Sequence, residues 1–483
     1  MSVFGYAKTK LSLVDYKMAF GWLRKLAVVC LVISYLALAY SLVGFNLIPL
    51  KFLLPVLAVD GFVVLWFSFI GFRKELSAIK SLMLIIASIL FIIVSLYAFS
   101  ASNSLTSFLN NIHGGNYVDI EYDIIAKKDQ HVKLGAVTDG SIGVLTVNAK
   151  NRAVVSQLNK YTKADIKSFD NVAAQTTNLD DNSVGMLLMS DSQLDLIKEN
   201  YSSFYQGVEV LAKFKVRVRE TTSKVDGTDT TKPFIVYISG IDTYGDVATI
   251  SRSDVNILAV VNPKNHKILL VNTPRDYYVK LHGINGVKDK LTHAGIYGVN
   301  MSVQTLEDLY DVSIDDYIRV NFTSLVSVVD NLGGVKVYSN NTFSAGKYSF
   351  TEGYNQLNGE QALAFSRARY AFANGDRTRG ENQEQVIKAI IEKLNNPSVL
   401  LNYQQILASM QKALQTDVTL NDVTSLVKYQ LNDMSKWSVK SISVNGTDSH
   451  NYTYSMGNIK LYVMEPDQTS LNTAKSEITQ YLQ

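Results

Sequence analysis

Cysteine is almost absent from the chain. The only one in 483 residues, Cys30, falls inside an apolar run, so no disulfide can form within the chain and any folded part must be held by its own core. Net charge is small as well: a formal +3 is too little to argue for a nucleic-acid partner. No internal repeat, low-complexity tract or heptad run organises the text. His293 has no second His or Cys at a metal-ligand spacing, which leaves it a polar neighbour and not a ligand.

What is plentiful is apolar residue, 47% of the chain, concentrated at the start. Leu26–Phe45, Phe52–Phe72 and Ser81–Ser100 are runs near bilayer-spanning length, and their short connections leave no room for a globular element. Three transmembrane helices are therefore expected over residues 26–100, after a cytoplasmic segment 1–25. Lys8, Lys10, Lys17, Arg24 and Lys25 precede the first run and Arg73, Lys74 and Lys80 follow the second, against Lys51 alone in the other connection. The positive-inside rule then puts everything after Ser100 outside the cell. No cleavage site follows the first run, which is expected to stay as an anchor. Asp60, inside the second run, calls for a partner or an interior-facing position but receives no role.

The outer portion opens with residues 101–219, where strand-like text (Tyr117–Ile125, Val144–Asn148, Gly207–Arg219) alternates with a short helix at Ser192–Asn200. With no nucleophile constellation or ligand spacing, this reads as a small α/β accessory module. Residues 220–232, rich in Thr and Asp and without periodicity, read as a linker. Beyond it, Phe234–Ser239, Val255–Val261 and Lys267–Asn272 are strands apolar on both faces, which implies a central mixed sheet covered by helices. Polar residues at the strand ends then line a crevice: Asp242 after the first, Arg252 and Asp254 before the second, Arg275 and Asp276 after the third. Two acids with arginines beside them suit a hard divalent ion that fills its remaining positions with phosphate oxygens and water, although a single such Asp would serve equally as a turn cap.

Later in the chain, Phe365-Ser-Arg-Ala-Arg-Tyr-Ala-Phe-Ala-Asn-Gly-Asp-Arg-Thr-Arg-Gly-Glu-Asn-Gln383 packs four arginines into a turn. Arg367 and Arg369, two apart, point to one side if the segment is extended. Asn374-Gly375 reads as a turn and Asp376 as a helix N-cap, with Arg379 and Gln383 following at helical spacing. A helix N-terminus with arginines converging on it is suited to phosphate or pyrophosphate. Arginine-rich turns are more often merely solvated; the charges gathered at the sheet ends favour a site.

These residues, in this order, resemble the LytR-CpsA-Psr family of Gram-positive bacteria, especially its capsule-linked branch. The likeness rests on Gly240-Ile-Asp242, Arg252-Ser-Asp254, Thr273-Pro-Arg275-Asp276, the Lys290 region, Val329-Asp-Asn-Leu-Gly-Gly-Val335, Leu357-Asn-Gly-Glu-Gln-Ala-Leu363 and the arginine stretch, within residues 233–394 of a catalytic domain 233–483. The resemblance implies a magnesium- or manganese-dependent phosphotransferase. It would move a glycopolymer, most simply capsular polysaccharide, from undecaprenyl pyrophosphate to peptidoglycan as a phosphodiester. Under it Asp242 and Asp254 match the metal-binding acids; Arg252, Arg275, Lys290, Arg367, Arg369, Arg379 and Gln383 match pyrophosphate contacts; and Arg275, Arg367, Arg369 and Asp376 match the catalytic group. At Asn382 the chain departs from the family pattern, where another Arg is common. Two alternatives remain open at this point. A polyprenyl-pyrophosphate phosphatase or binding protein would use the same grip, and a membrane-bound regulator of capsule genes would need a cytoplasmic recognition element for which little chain is left.

Overall fold

In the computed structural model of the chain, the described residues are 3–45, 50–73, 78–113, 117–130, 132, 140–219, 228–243, 247, 250–372, 375–394, 414–419, 422, 425–426, 429–430, 435–457 and 459–483. Two compact units divide it, Met1–Ser107 with Val423–Met434, and Phe108–Asp422 with Ser435–Gln483.

The first unit is built on three helices, Val3–Phe45, Leu50–Gly71 and Ala78–His113. Their windows Gly21–Val43, Leu50–Gly71 and Ile79–Ser100 are long and apolar enough to cross a membrane. Backbone and hydroxyl groups in such helices need partners within the protein. Ser88 Oγ donates to Ala27 O at 3.0 Å, Ser95 Oγ to Ser34 O at 2.9 Å and Tyr35 OH to Leu57 O at 2.9 Å, each joining one helix to another. At one end Arg24 donates to Arg73 O at 2.7 Å. Asp60 is half-buried, beside the glycine that lets the Tyr35 hydroxyl approach.

The second unit contains two mixed sheets. The five-stranded accessory sheet runs Asp165–Phe169, Ser141–Leu145, Met186–Ser190, Tyr117–Lys127, Val208–Arg219. Alternation carries its long outer pair, Tyr117–Lys127 against Val208–Arg219, with Ile120, Tyr122 and Ile124 turned into the core. The strand expected at Val144–Asn148 ends earlier: Ser141–Leu145 is extended and Thr146–Ala149 is a helical turn. Leu145 is the last buried residue there, so nothing apolar holds the following residues in the sheet.

The six-stranded central sheet runs Gln415–Thr416, Asp316–Val320, Phe234–Ile241, Ser253–Asn262, Lys267–Asn272, Ser438–Ser443. Asp316–Val320 lies parallel to Phe234–Ile241, and Ser438–Ser443 parallel to Lys267–Asn272; the pairings between these are antiparallel. Ile235, Tyr237, Leu258, Val260, Leu269 and Val271 pack with Leu306, Tyr310, Leu471 and Ile478 of the covering helices Val299–Tyr310 and Gln468–Tyr481. Coverage of this kind is what strands apolar on both faces require.

A third cluster fixes the arginine stretch. Phe365 and Ala368 on one side of it, and Val386 and Ala389 on the other, share a core with Val329, Val335, Phe343 and Phe350. The Phe365 ring lies 5.3 Å from Phe343 and 5.2 Å from Phe350. Burying one such ring contributes about 2–3 kcal/mol, enough to hold both arms of the turn. The helix Phe322–Asn331 in this layer ends at the Gly333-Gly334 pair, whose φ values of 71° and 81° favour glycine.

Two local expectations change here. Arg367 does not lie on an extended segment: it is the last residue of the helix Gly359–Arg367, and only Ala368, at φ −60° and ψ 115°, turns the chain out of the helix. Asp376 is no N-cap either, because the helix Gly375–Leu394 already includes it. Asn374 and the Asp376 side chain lie outside the described residues.

Candidate active site

Phe234–Ile241, Ser253–Asn262, Lys267–Asn272 and Asp316–Val320 bring one common end together, and each supplies charged or polar residues just beyond it. Asp242 follows the first strand, Arg252 and Asp254 sit at the start of the second, and Arg275 and Asp276 follow the third. Across this end lies the N-terminal part of the helix Gly375–Leu394. It packs closely, since a Cβ on Gly380 would stand 2.2 Å from Asn272 Nδ2. The result is a cleft partly open to solvent, lined by Asp254, Arg275, Arg377, Arg379, Gln383, Ser443 and Met464 among others.

Arg275 forms a well-buried pair, donating from Nη1 to Asp254 Oδ2 at 2.5 Å; the other Asp254 oxygen accepts from Thr292 Oγ1 at 2.9 Å. Lys290 donates to Asp276 Oδ1 at 2.7 Å. Burial pushes the Asp276 carboxyl up, but Lys290, Arg275 and Arg379 together outweigh it and hold the group below the usual carboxylate range. That balance ties Arg379, from the far helix, to the same charge cluster. Arg367 stands 3.7 Å from Asp242 and lies over the Phe322 ring at 4.1 Å. Arg252 pairs with Glu199 of the accessory module.

Asp242 behaves differently from Asp276. Burial first, and the charge of Asp254 second, push its carboxyl above the ordinary value, against Arg367, Arg275 and Arg252. A carboxyl whose proton affinity is raised by a neighbouring acid marks a place where a cation is favoured. Among the described residues no three His, Cys, Asp or Glu side chains are grouped closely enough to hold a metal by themselves. Asp242 and Asp254 would suffice only for a hard ion such as Mg²⁺ that takes one or two carboxylates and draws its other oxygens from phosphate and water.

The sequence expectations thus meet unequally. Asp242, Asp254, Arg252, Arg275, Lys290, Arg367, Arg379 and Gln383 lie in or around one cleft. Arg369 is exposed, its guanidinium 6.0 Å from the Tyr370 ring, and the cleft lining holds Arg377 where the spacing argument had favoured Arg369. His293 is buried and bonded to Asp289 at 2.6 Å, as a polar structural group. Asn382 is also buried and donates to Phe365 O at 3.2 Å, so it braces the carbonyl end of the helix that carries Arg367.

A family model, described as LytR_cpsA_psr family, matches residues 200–478, more than half of the chain. The chain belongs to the LytR_cpsA_psr family. Similar relatives include proteins named polyisoprenyl-teichoic acid--peptidoglycan teichoic acid transferase TagU. The one from Enterococcus faecalis is 39% identical over 198 residues, 40% of this chain and 65% of that protein, so the chain spans just under two thirds of it. The one from Bacillus licheniformis is 33% identical over 270 residues, 56% of this chain and 83% of that protein. The crystal structure of B. subtilis TagU aligns with 52% of this chain and 97% of its own, at 32% identity and a TM-score of 0.42.

Three side chains of this LytR_cpsA_psr member escaped the sequence reading. Arg377 was one of four arginines with no reason to prefer it. Glu384, next to Gln383, faces inward and accepts from Ser443 Oγ at 2.6 Å. Burial, with the charge of Glu381 adding to it, pushes its carboxyl up to about 8 despite the hydrogen bond from Ser443. Glu199 was unremarkable in a helix remote along the chain, and no sequence signal could have assigned it to Arg252.

Proposed function

We propose that this chain transfers a glycopolymer from a polyprenyl pyrophosphate to peptidoglycan, leaving a phosphodiester. The observation that carries this reading is the convergence of Arg252, Arg275, Lys290, Arg367 and Arg379 around two acids at one end of the central sheet. Support comes from the relatives, whose names describe teichoic acid transfer to peptidoglycan. We further propose capsular polysaccharide as the polymer, the three apolar helices as a multi-pass anchor with a cytoplasmic N-terminus, and the second unit as extracellular. The carrier's pyrophosphate is then presented on the same side of the membrane as the second unit.

In the reaction an acceptor hydroxyl oxygen attacks the phosphorus bonded to the glycan. The P–O bond to the lipid-linked phosphate breaks, polyprenyl phosphate leaves, and the hydroxyl proton passes to solvent water. Arg275, immobilised by Asp254, is a fixed donor toward a non-bridging oxygen. Arg379 and Lys290 neutralise the charge that gathers on the leaving phosphate, and Arg367, stacked on Phe322, and Gln383 orient the pyrophosphate. Asp242 and Asp254 would hold Mg²⁺, which when bound supplies further charge neutralisation at the phosphate oxygens.

The test uses the full chain in detergent with a polyprenyl-pyrophosphate oligosaccharide and peptidoglycan fragments. Attachment of glycan phosphate to a muropeptide, with release of polyprenyl phosphate, supports transfer; release of free glycan phosphate alone would replace it with hydrolysis. Chelation with EDTA should stop the reaction and added Mg²⁺ restore it, and an unchanged rate would remove the metal from the proposal. Polymer identity is read separately, from whether wall-bound capsule or wall teichoic acid falls when the gene is deleted.

A further inference from the structure

Arg252 and Arg275 are held in different ways. Arg275 pairs with Asp254 where both side chains are about nine-tenths buried, whereas the Arg252–Glu199 pair is open to water, with Arg252 at 21% and Glu199 at 53% exposure. Glu199 comes from the accessory helix Asp191–Asn200. This helix is not loosely attached: its Leu194, Leu196 and Ile197 share a core with Ile296, Met456 and Leu461 of the catalytic domain. Ala173 N donates to Ser455 O at 3.0 Å and Tyr454 OH to Asp170 O at 2.8 Å across the same junction. The accessory module therefore holds a carboxylate in a fixed place at the edge of the cationic cleft. Its electrostatic partners extend to Arg275 and Lys290: burial pushes the Glu199 carboxyl up, and Arg252, Arg275 and Lys290 pull it below its ordinary value.

We propose that the accessory domain is part of the pyrophosphate site, with Glu199 as a built-in anion that occupies Arg252 until a substrate phosphate displaces it. This deepens the function proposed above and rests on it. A solvent-open ion pair is weak and exchangeable, so a pyrophosphate with several negative charges can take the guanidinium from a single carboxylate. While Glu199 holds Arg252, the guanidinium is withheld from phosphate. Glu199 thereby limits how tightly substrate, and equally the phosphate products, are retained. Glu199 is thus a positioning residue that acts through Arg252, and it gives the accessory domain a direct influence on affinity and release.

The experiment measures binding of geranylgeranyl pyrophosphate with Mg²⁺ to the detergent-purified full chain by calorimetry, for wild type, Glu199→Gln, Glu199→Asp, Arg252→Ala and the Glu199→Gln, Arg252→Ala pair. Glu199→Gln should bind about ten-fold tighter, and Glu199→Asp, which keeps the charge, should bind like wild type. In the Arg252→Ala background the same Glu-to-Gln change should gain less than about three-fold. Unchanged or weaker binding by Glu199→Gln, or an equal gain without Arg252, overturns the proposal while leaving the pyrophosphate site standing. Failure of every form to bind overturns both readings together.

Discussion

Along the outer pair of the accessory sheet, Asp119 faces Arg217 at 2.8 Å, Glu121 faces Lys215 at 3.1 Å and Asp123 faces Lys213 at 2.9 Å, each acid directly across from its base. At the end of the central sheet, by contrast, Asp276 answers to Lys290, Arg275 and Arg379 at once, and Asp242 to three arginines and another carboxylate. The ladder dissipates charge locally, pair by pair, with the bases largely in water. The cleft concentrates it, so that the state of each group depends on the others. One arrangement stabilises a strand pair slightly; the other prepares a surface for a polyanion. Similar side chains at similar distances therefore have different consequences, and mutation can test the distinction.

The largest difference is expected at Arg275. Arg275→Ala removes the buried donor and strands Asp254, and transfer should fall about 10³-fold, measured in the muropeptide assay alongside a thermal melt to establish that the chain is folded. Next comes the helix that closes the cleft. Gly380→Ala should destabilise the second unit by about 1–3 kcal/mol, seen in denaturant unfolding, because the new methyl meets the buried Asn272 amide. Arg367→Ala should cost a smaller factor, about ten-fold in transfer, since this side chain is roughly half exposed. At the ladder, Arg217→Ala should alter stability by no more than about 0.5 kcal/mol and leave transfer unchanged. If Arg217→Ala matched Arg367→Ala in the transfer assay, the contrast between the two sheets would collapse.

Glu384 sharpens the same contrast through pH. Its folded carboxyl binds a proton up to about 8, against an ordinary value of 4.5, so the folded state holds more protons than the unfolded state between those values. The stability it contributes is fully present below about 4.5 and is lost as pH rises through about 8. Melting temperature should therefore decline across that window, and Glu384→Gln, neutral at every pH, should flatten the decline. An equally steep decline in the variant would show that the carboxyl is already ionised in the folded chain.

How much of this was legible in the sequence depends on the range of the signal. The outer accessory strands were readable because Asp119, Glu121 and Asp123 alternate with Ile120, Tyr122 and Ile124, a pattern that needs no knowledge of the partner strand. The helix stop at Gly333-Gly334 was readable for the same reason. Arg379 and Gln383 were assigned to one helical face by their spacing of four, and both line the cleft. The pair Arg367 and Arg369 misled the spacing argument, because the core around Phe365 continues the helix up to Arg367 and divides two residues that an extended segment would have kept together. Asn382 read as a departure at a ligand position; packing turned it inward to brace Phe365 O.

From the sequence alone came three apolar spans, a mixed sheet with strands too apolar for an exposed face, and a family resemblance that assembled the site residues without arranging them. Those properties depend on composition and short-range periodicity, which each segment carries by itself. Tertiary structure alone decided that Arg275 belongs to Asp254 and Arg252 to Glu199, and that Glu384 is buried beside Ser443. Such partners are chosen where distant segments meet, and burial there sets the strength of each charge by excluding the water that would otherwise screen it.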